Sequence, residues 1–233
     1  MYYVNNMREI VVITGAGVSA ESGLSTFRDH NGLWDKFPIE EVATIEAWGK
    51  DPKKVNEFYN LRRQNCNNVF PNKAHVLIAQ LEKNYSVKII TQNIDDLHEK
   101  AGSTKVLHLH GNINLSRSLG TQKTYPIAFG DSLSYGTKCP DGFMLRPDVV
   151  WFGEEVPNMS IAYEIVKLAD VVIIVGTSLQ VYPAASLKDY CENTTEKYLI
   201  DPDNNLNIYG YKSINLPATE GMEIVYNKLM SNN

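Results

Sequence analysis

Residues 9–20 read EIVVITGAGVSA, a short β-branched run that breaks directly into a G-x-G-x-x-A spacing. This junction narrows the possible folds more than any other stretch of the chain. A continuous apolar run of this length reads as a buried parallel strand. Gly15 then permits a tight turn, and Gly17 lets backbone approach a pyrophosphate. Ala20 lets the following helix pack close to the strand. The N-terminus of that helix is expected to offer unpaired N–H groups to phosphates. An ordinary strand–turn–helix with small residues for packing uses the same spacing, so the loop alone leaves both readings open. The segment continues as STFRDHNGLW. Phe27, Arg28 and Trp34 make it a polar, aromatic stretch that a plain turn does not require.

Further apolar runs follow. Strands are expected at 9–13, 86–91, 106–108, 171–175, 197–200 and 212–216. Helical patterns fall at 71–84, 158–168, 183–191 and 219–230. Such alternation predicts an α/β fold with a doubly wound parallel sheet. Two stretches interrupt it. Residues 30–70 read as loop and helices, and 112–145 are rich in Ser, Gly, Thr and Tyr. Both are expected to leave the main sheet and form a smaller lobe. The 233 residues then make one catalytic domain over 1–233. Its large lobe covers about 1–29, 71–111 and 146–233, and its small lobe about 30–70 and 112–145. Ligands in such sheets bind beyond the carboxyl ends of the strands.

Composition excludes several functions. A net charge of −5 argues against a nucleic-acid footprint, which favours clustered Lys and Arg. The longest apolar run, ADVVIIVG, is too short to span a bilayer. No signal peptide is read at the N-terminus. Three widely spaced cysteines, Cys66, Cys139 and Cys191, suit a reducing cytoplasm better than a disulfide framework. No membrane or nucleic-acid partner is expected, and the protein is expected to be a monomer.

Four motifs lie at strand ends or where an excursion rejoins the main domain. TQNIDDLHEKAG sets Gln92, Asn93 and Asp95 where a strand gives way to a helix. Asp95 alone reads as a helix cap. The adjacent amides are well suited to a ribose or a carboxamide. In HLHGN, His108 reads as structural. His110, beside Gly111, is the natural general base, an imidazole titrating near neutrality. VGTSLQVYPA puts Gly176, Thr177 and Ser178 at another strand end, as a phosphate or ribose contact or as an ordinary capped turn. RPDVVWFGEEVP reads either as a core strand or as a segment that pairs with an extended peptide.

In this order GAGVSAESG, TFR, GLW, TQNIDDLH, HLHG, RPDVVWFGE and GTSLQVYPA closely resemble the sirtuin (Sir2) family, from Thr14 to Ala184. LPATEGMEIV is similar to the family's last cofactor segment. The resemblance implies a Rossmann-like large lobe and an NAD-dependent protein-lysine deacylase. It implies that Gly15, Ala16, Gly17, Ala20, Thr26, Phe27, Arg28 and Trp34 bind NAD and form its flexible loop. Gln92, Asn93, Ile94 and Asp95 would hold the nicotinamide ribose and carboxamide. Gly176, Thr177, Ser178, Asp201 and Ala218 would contact the adenosine half. His110 would serve catalysis with Asn93 and Asp95 and also touch the cofactor. Val150 and Phe152 would contact the acyl-lysine. The implied reaction begins when the acyl carbonyl oxygen attacks C1′ of the nicotinamide ribose and nicotinamide leaves. His110 then withdraws a proton through the ribose hydroxyls, and hydrolysis gives free lysine and O-acyl-ADP-ribose. An NAD hydrolase, a mono-ADP-ribosyltransferase and a non-enzymatic NAD or ADP-ribose sensor are the alternatives.

Three local features refine the resemblance. FYNLRR sets Tyr59 and Arg62 three residues apart on one helix face, the Y-x-x-R pattern of class III sirtuins that remove malonyl, succinyl or glutaryl groups. A desuccinylase and demalonylase with deacetylase activity is implied, because an acyl chain ending in carboxylate needs a cation and a hydroxyl. The family's two C-x-x-C zinc pairs are reduced to Cys139, with Ser116, Ser118 and Gly142 near the other positions. One thiol cannot make a tetrahedral four-thiolate site, so no structural zinc is expected. Packing by Tyr125, Phe129, Tyr135 and Phe143 is expected to hold the small lobe instead. In YLIDPDNN, Asp201 and Asp203 stand where many sirtuins place an Asn.

Overall fold

The computed structural model describes residues 7–25, 36–191 and 194–231. Thr26, Phe27, Arg28 and Trp34 lie outside the described residues. Six parallel strands form the main sheet: β1 (Glu9–Thr14), β2 (Ser86–Thr91), β3 (Val106–His108), β7 (Val171–Val175), β8 (Glu196–Ile200) and β9 (Lys212–Ile214). Their spatial order is β3-β2-β1-β7-β8-β9. The chain reverses its winding between β1 and β7, so the carboxyl ends of β1, β2 and β7 flank the switch point where such sheets bind ligands. The central strands are buried on both faces, as their unbroken Val and Ile runs require.

One face packs against α5 (Lys73–Leu81) and α8 (Ala218–Ser231), with Ile10, Val12, Ile78, Met222 and Val225 in the core. The other packs against α7 (Met159–Lys167) and a 3₁₀ segment, Ala184–Tyr190, around Val11, Ile13, Ala162, Val172 and Leu187. The 3₁₀ winding replaces the helix expected at 183–191. The loop of the opening motif leads into α1 (Gly17–Ala20), a single turn.

The first excursion carries α2 (Ile39–Val42), α3 (Ile45–Lys50) and α4 (Pro52–Asn67). Pro52 occupies the first turn of α4, and the Asp51 carboxylate accepts from Lys54 N at its start. The second excursion holds an antiparallel sheet in the order β5-β4-β6: β4 (Gly111–Ser118), β5 (Thr124–Pro126) and β6 (Leu145–Val149). A short helix, α6 (Leu97–Lys100), follows β2. The small sheet covers Leu133, Cys139 and Leu145, with Tyr125 and Ile127 against them. The expected aromatic packing holds only for Tyr125 in this cluster. Phe129, Tyr135 and Phe143 are exposed, because they sit on the turns between β5 and β6 while aliphatic residues and a thiol fill the small core. All three cysteines are buried free thiols.

Candidate functional site

The site is built where β1, β2 and β7 end. Gly15 N donates to Val175 O at 3.2 Å, and Gly17 N donates to Gly176 O at 2.8 Å. A Cβ on Gly17 would stand 2.7 Å from Gly176 Cα, and one on Gly15 would stand 2.8 Å from Gly176 O. Gly176 itself has φ +60, a left-handed conformation that costs a side chain energy. These glycines therefore let two strand-end loops touch through backbone.

Two expectations for this loop need correction. Gly17, Val18 and Ser19 spend their N–H groups on Gly176, Gly15 and Ala16 carbonyls, so these donors are not free for phosphates. Ala20 is exposed. Because α1 is only one turn, position 20 emerges at its outer end, and Val18 and Ser19 form its buried face.

At the end of β2, Gln92 N donates to Thr14 O at 2.9 Å. Gln92 Nε2 donates to Thr177 Oγ1 at 3.0 Å. Asn93 Nδ2 donates to Gly15 O at 3.1 Å and to Ser19 Oγ at 3.2 Å. Ser19 Oγ donates onward to Asp95 Oδ2, and Leu97 N donates to Asp95 Oδ1, both at 3.1 Å. Asp95 precedes the N-cap residue Asp96 and holds the first N–H of α6 while also belonging to this polar cluster. Burial raises its carboxyl above the ordinary range. Ile94 contributes backbone, its carbonyl accepting from Ile113 N at 2.8 Å.

His108 and His110 have different roles. His108 Nδ1 meets Asn93 O at 2.9 Å and Nε2 meets Glu99 Oε1 at 2.8 Å. Burial pulls its pKa down, but Glu99 and the Asn93 carbonyl outweigh that, and it ends above the usual value. Both nitrogens are engaged, as a structural histidine requires. His110 Nδ1 faces the Gln92 carbonyl at 2.9 Å. A carbonyl only accepts, so Nδ1 carries the proton and the Nε2 lone pair is left as the basic atom. Burial lowers the His110 pKa, which keeps that lone pair unprotonated near neutrality.

The segment after β6 lies beside this cluster. Val150 N donates to His110 O at 2.9 Å. Phe152 N donates to Ala43 O, and Ile45 N donates to Phe152 O, tying 150–152 to the first excursion. Trp151 packs there against Tyr59, ring centroids 6.3 Å apart. Tyr59 is buried on α4, and burial raises its phenol pKa. The charge of Arg62, one turn away, reaches it. The segment 150–152 thus joins His110, through Val150, to the helix that carries Tyr59 and Arg62, through Trp151.

Thr177 Oγ1 also accepts from Leu179 N at 3.3 Å, and Ser178 is half-buried. Asp201 sits past β8, where its Oδ1 accepts from Asp203 N at 3.0 Å. Ala218 is buried at the start of α8, and Glu21 caps the next residue, Thr219, with bonds to its N and Oγ1. Sequence reasoning missed Ser19, which lies inside the opening motif. It also missed the Arg146–Glu154 pair that brackets Trp151.

A family model of the Sir2 family matches residues 15–183. The chain belongs to the Sir2 family. A relative from Bacteroides thetaiotaomicron is 47% identical over 227 residues, covering 93% of this chain and 96% of that protein, and is named an NAD-dependent protein deacylase. One from Helicobacter pylori with the same name is 47% identical over 226 residues, covering 96% and 98%. Among solved structures, a Sir2 homologue in complex with NAD is 38% identical with a TM-score of 0.86, covering 97% of this chain and 91% of that one. Another Sir2 homologue, a mutant, was solved with ADP-ribose.

The zinc expected of many sirtuins can be tested against the residues present. Ser116 Oγ donates to Tyr125 O at 3.1 Å. Ser118 Oγ accepts from Gly120 N, Thr121 N and Cys139 Sγ. Gly142 has no side chain. Where thiolates would converge, hydroxyls close a turn, and these residues do not fit a four-thiolate ion. Among the described residues no cluster of three metal-ligating side chains occurs. No described helix is long and apolar enough to cross a membrane.

Proposed function

We propose that this protein is an NAD-dependent protein-lysine deacylase that prefers acidic acyl groups and works without structural zinc. The observation that carries the reading is the convergence of Asn93, Asp95 and the free Nε2 of His110 at the switch point of the sheet. The glycine-lined meeting of the β1 and β7 loops suits a dinucleotide, since a side chain at Gly15 or Gly17 would collide with backbone there. NAD, when bound, supplies a ribosyl carbon from which nicotinamide can depart. Asn93 and Asp95 hold the ribose and carboxamide, and Gly176, Thr177 and Ser178 hold the adenosine half. His110 Nε2 takes the proton of a ribose hydroxyl. Positioned base catalysis of this kind contributes about 10²–10⁴-fold.

Acylated lysines of proteins or peptides are the substrates, gripped between Val150 and Phe152. Tyr59 and Arg62 meet the acyl end, a phenol donor and a guanidinium on one helix face. The six-stranded sheet belongs to the large lobe. The helices between residues 36 and 70 and the three-stranded sheet belong to the small one.

Incubation with NAD and succinyl- or acetyl-lysine peptides, read by mass spectrometry, tests this reading. O-acyl-ADP-ribose with faster turnover of the succinyl peptide is expected. Free ADP-ribose formed without peptide would mean a hydrolase, transfer of ADP-ribose to protein a transferase, and no turnover a sensor.

A further inference from the structure

Trp151 is almost completely buried, at 2% exposure, and its ring is fixed from several sides. The Arg146 guanidinium carbon lies 3.6 Å from the ring centroid. Trp48 stacks at 5.2 Å and Tyr59 lies at 6.3 Å. Arg146 is itself clamped. Its two terminal nitrogens donate to Glu154 Oε1 and Oε2, both at 2.7 Å, and one of them also donates to Val149 O at 2.6 Å. Glu154 Oε2 then accepts from the Trp151 backbone N at 2.9 Å. Cation, carboxylate and indole form a closed bracket, so the ring has little freedom to turn.

This rigid ring carries an unmet donor. Among the described residues Trp151 Nε1–H is buried and closes no hydrogen bond of ordinary geometry, reaching only toward the Tyr59 phenol. An indole N–H donates and does nothing else, and buried indoles usually find a partner. The N–H lies close enough to Tyr59 to favour that residue's phenolate form, as the charge of Arg62 also does. Glu154 is the carboxylate whose charge reaches the same spot, and Arg146 and the Trp151 backbone already occupy its oxygens. An indole N–H, a phenol and a guanidinium are thus grouped together, with the neighbouring carboxylate already spent.

We propose that Trp151 Nε1–H is a third donor of the acyl pocket, pairing with the carboxylate of an acidic acyl chain beside Tyr59 and Arg62. This rests on the acidic-acyl reading above. An acetyl group has no carboxylate to accept the bond, so the indole acts on selectivity rather than on the reaction common to both substrates.

The Trp151→Phe variant keeps an aromatic ring in the bracket and deletes the N–H. Its kcat/KM should fall on the order of tenfold for a succinyl-lysine peptide, the scale of a lost hydrogen bond to a charged group. For an acetyl-lysine peptide it should stay within about twofold. Equal losses on both peptides, or no loss on either, would overturn the proposal. A second readout uses the wild-type protein. The Trp151 indole proton, assigned by elimination from Trp34→Phe and Trp48→Phe spectra, should move downfield when ADP-ribose and succinyl-lysine peptide bind. It should not move with acetyl-lysine peptide, and identical shifts with both peptides also defeat the proposal. A wild-type enzyme that favours the acetyl peptide defeats the acidic-acyl reading itself, an outcome visible before any variant is made.

Discussion

Ser19 Oγ lies 3.1 Å from Asp95 Oδ2 and donates to it, while accepting from Asn93 Nδ2. One hydroxyl therefore joins the glycine loop to Asn93 and Asp95 of the QNID turn. Ser19→Ala leaves a buried carboxylate oxygen without its donor, which costs about 1–3 kcal/mol. Chemical denaturation should show a loss in that range, and the KM for NAD should rise several-fold. An unchanged KM would mean that the bridge supports the fold alone.

His110→Ala should abolish deacylation and leave NAD affinity nearly intact, measured by calorimetry beside turnover. The pH profile gives an independent check. Activity requires neutral Nε2, so it falls as pH drops through the His110 pKa. Burial lowers that pKa, so the acidic limb should lie below the ordinary histidine value of about 6.5. A limb above that value would assign it to another group.

Arg62→Met tests acyl recognition from the cation side. An exposed ion pair is worth little, but a guanidinium meeting a carboxylate in a half-buried pocket gives a charge-assisted bond. The variant should lose on the order of tenfold or more in kcat/KM for succinyl peptide and change little for acetyl peptide. Parallel progress curves decide it, and equal losses would place Arg62 in the scaffold.

How much of this could be read in the chain depends on where the partners lie. The central strands β1 and β7 are short apolar runs, because burial on both faces demands Val and Ile there. Gln92, Asn93 and Asp95 fall within four residues after β2, and His110 lies two residues past β3, so their grouping at strand ends is visible as text. The small sheet was hidden for the opposite reason. β4 reads GNINLSRS and β6 reads LRPDV, with Arg146 and Asp148 buried only because Glu154 and Arg117 pair with them. Neither ion pairs nor orphaned donors have a period in sequence. Ser19 and Trp151 were passed over because what defines them is a contact across the fold.

The turn held by Ser118 bears on metal dependence. Its hydroxyl accepts from two backbone N–H groups and from the Cys139 thiol, a local closure made without any charged ligand. Purified protein should contain far less than stoichiometric zinc, and a chelator should leave its melting temperature unchanged. Ser118→Ala should cost about 1 kcal/mol by removing the acceptor of the buried Cys139 thiol and of two backbone N–H groups of an exposed turn. A stoichiometric zinc signal in elemental analysis would refute the zinc-free reading.

The Arg146–Glu154 pair predicts a particular dependence of stability on pH. Burial pushes the Glu154 carboxyl up, but the Arg146 bonds and the Trp151 backbone N–H outweigh it and leave its pKa below the usual value. A carboxyl depressed on folding contributes stability above its unfolded value of about 4.3 and loses it as pH falls through the folded value. Breaking a buried pair costs about 3–5 kcal/mol. Glu154→Gln should cost less, since the amide keeps one acceptor and the Glu154 side chain is 20% exposed. Urea unfolding of the two proteins at neutral pH should therefore differ clearly, and the gap should close as pH is lowered below about 4. A gap independent of pH would mean that shape, rather than charge, gives Glu154 its value.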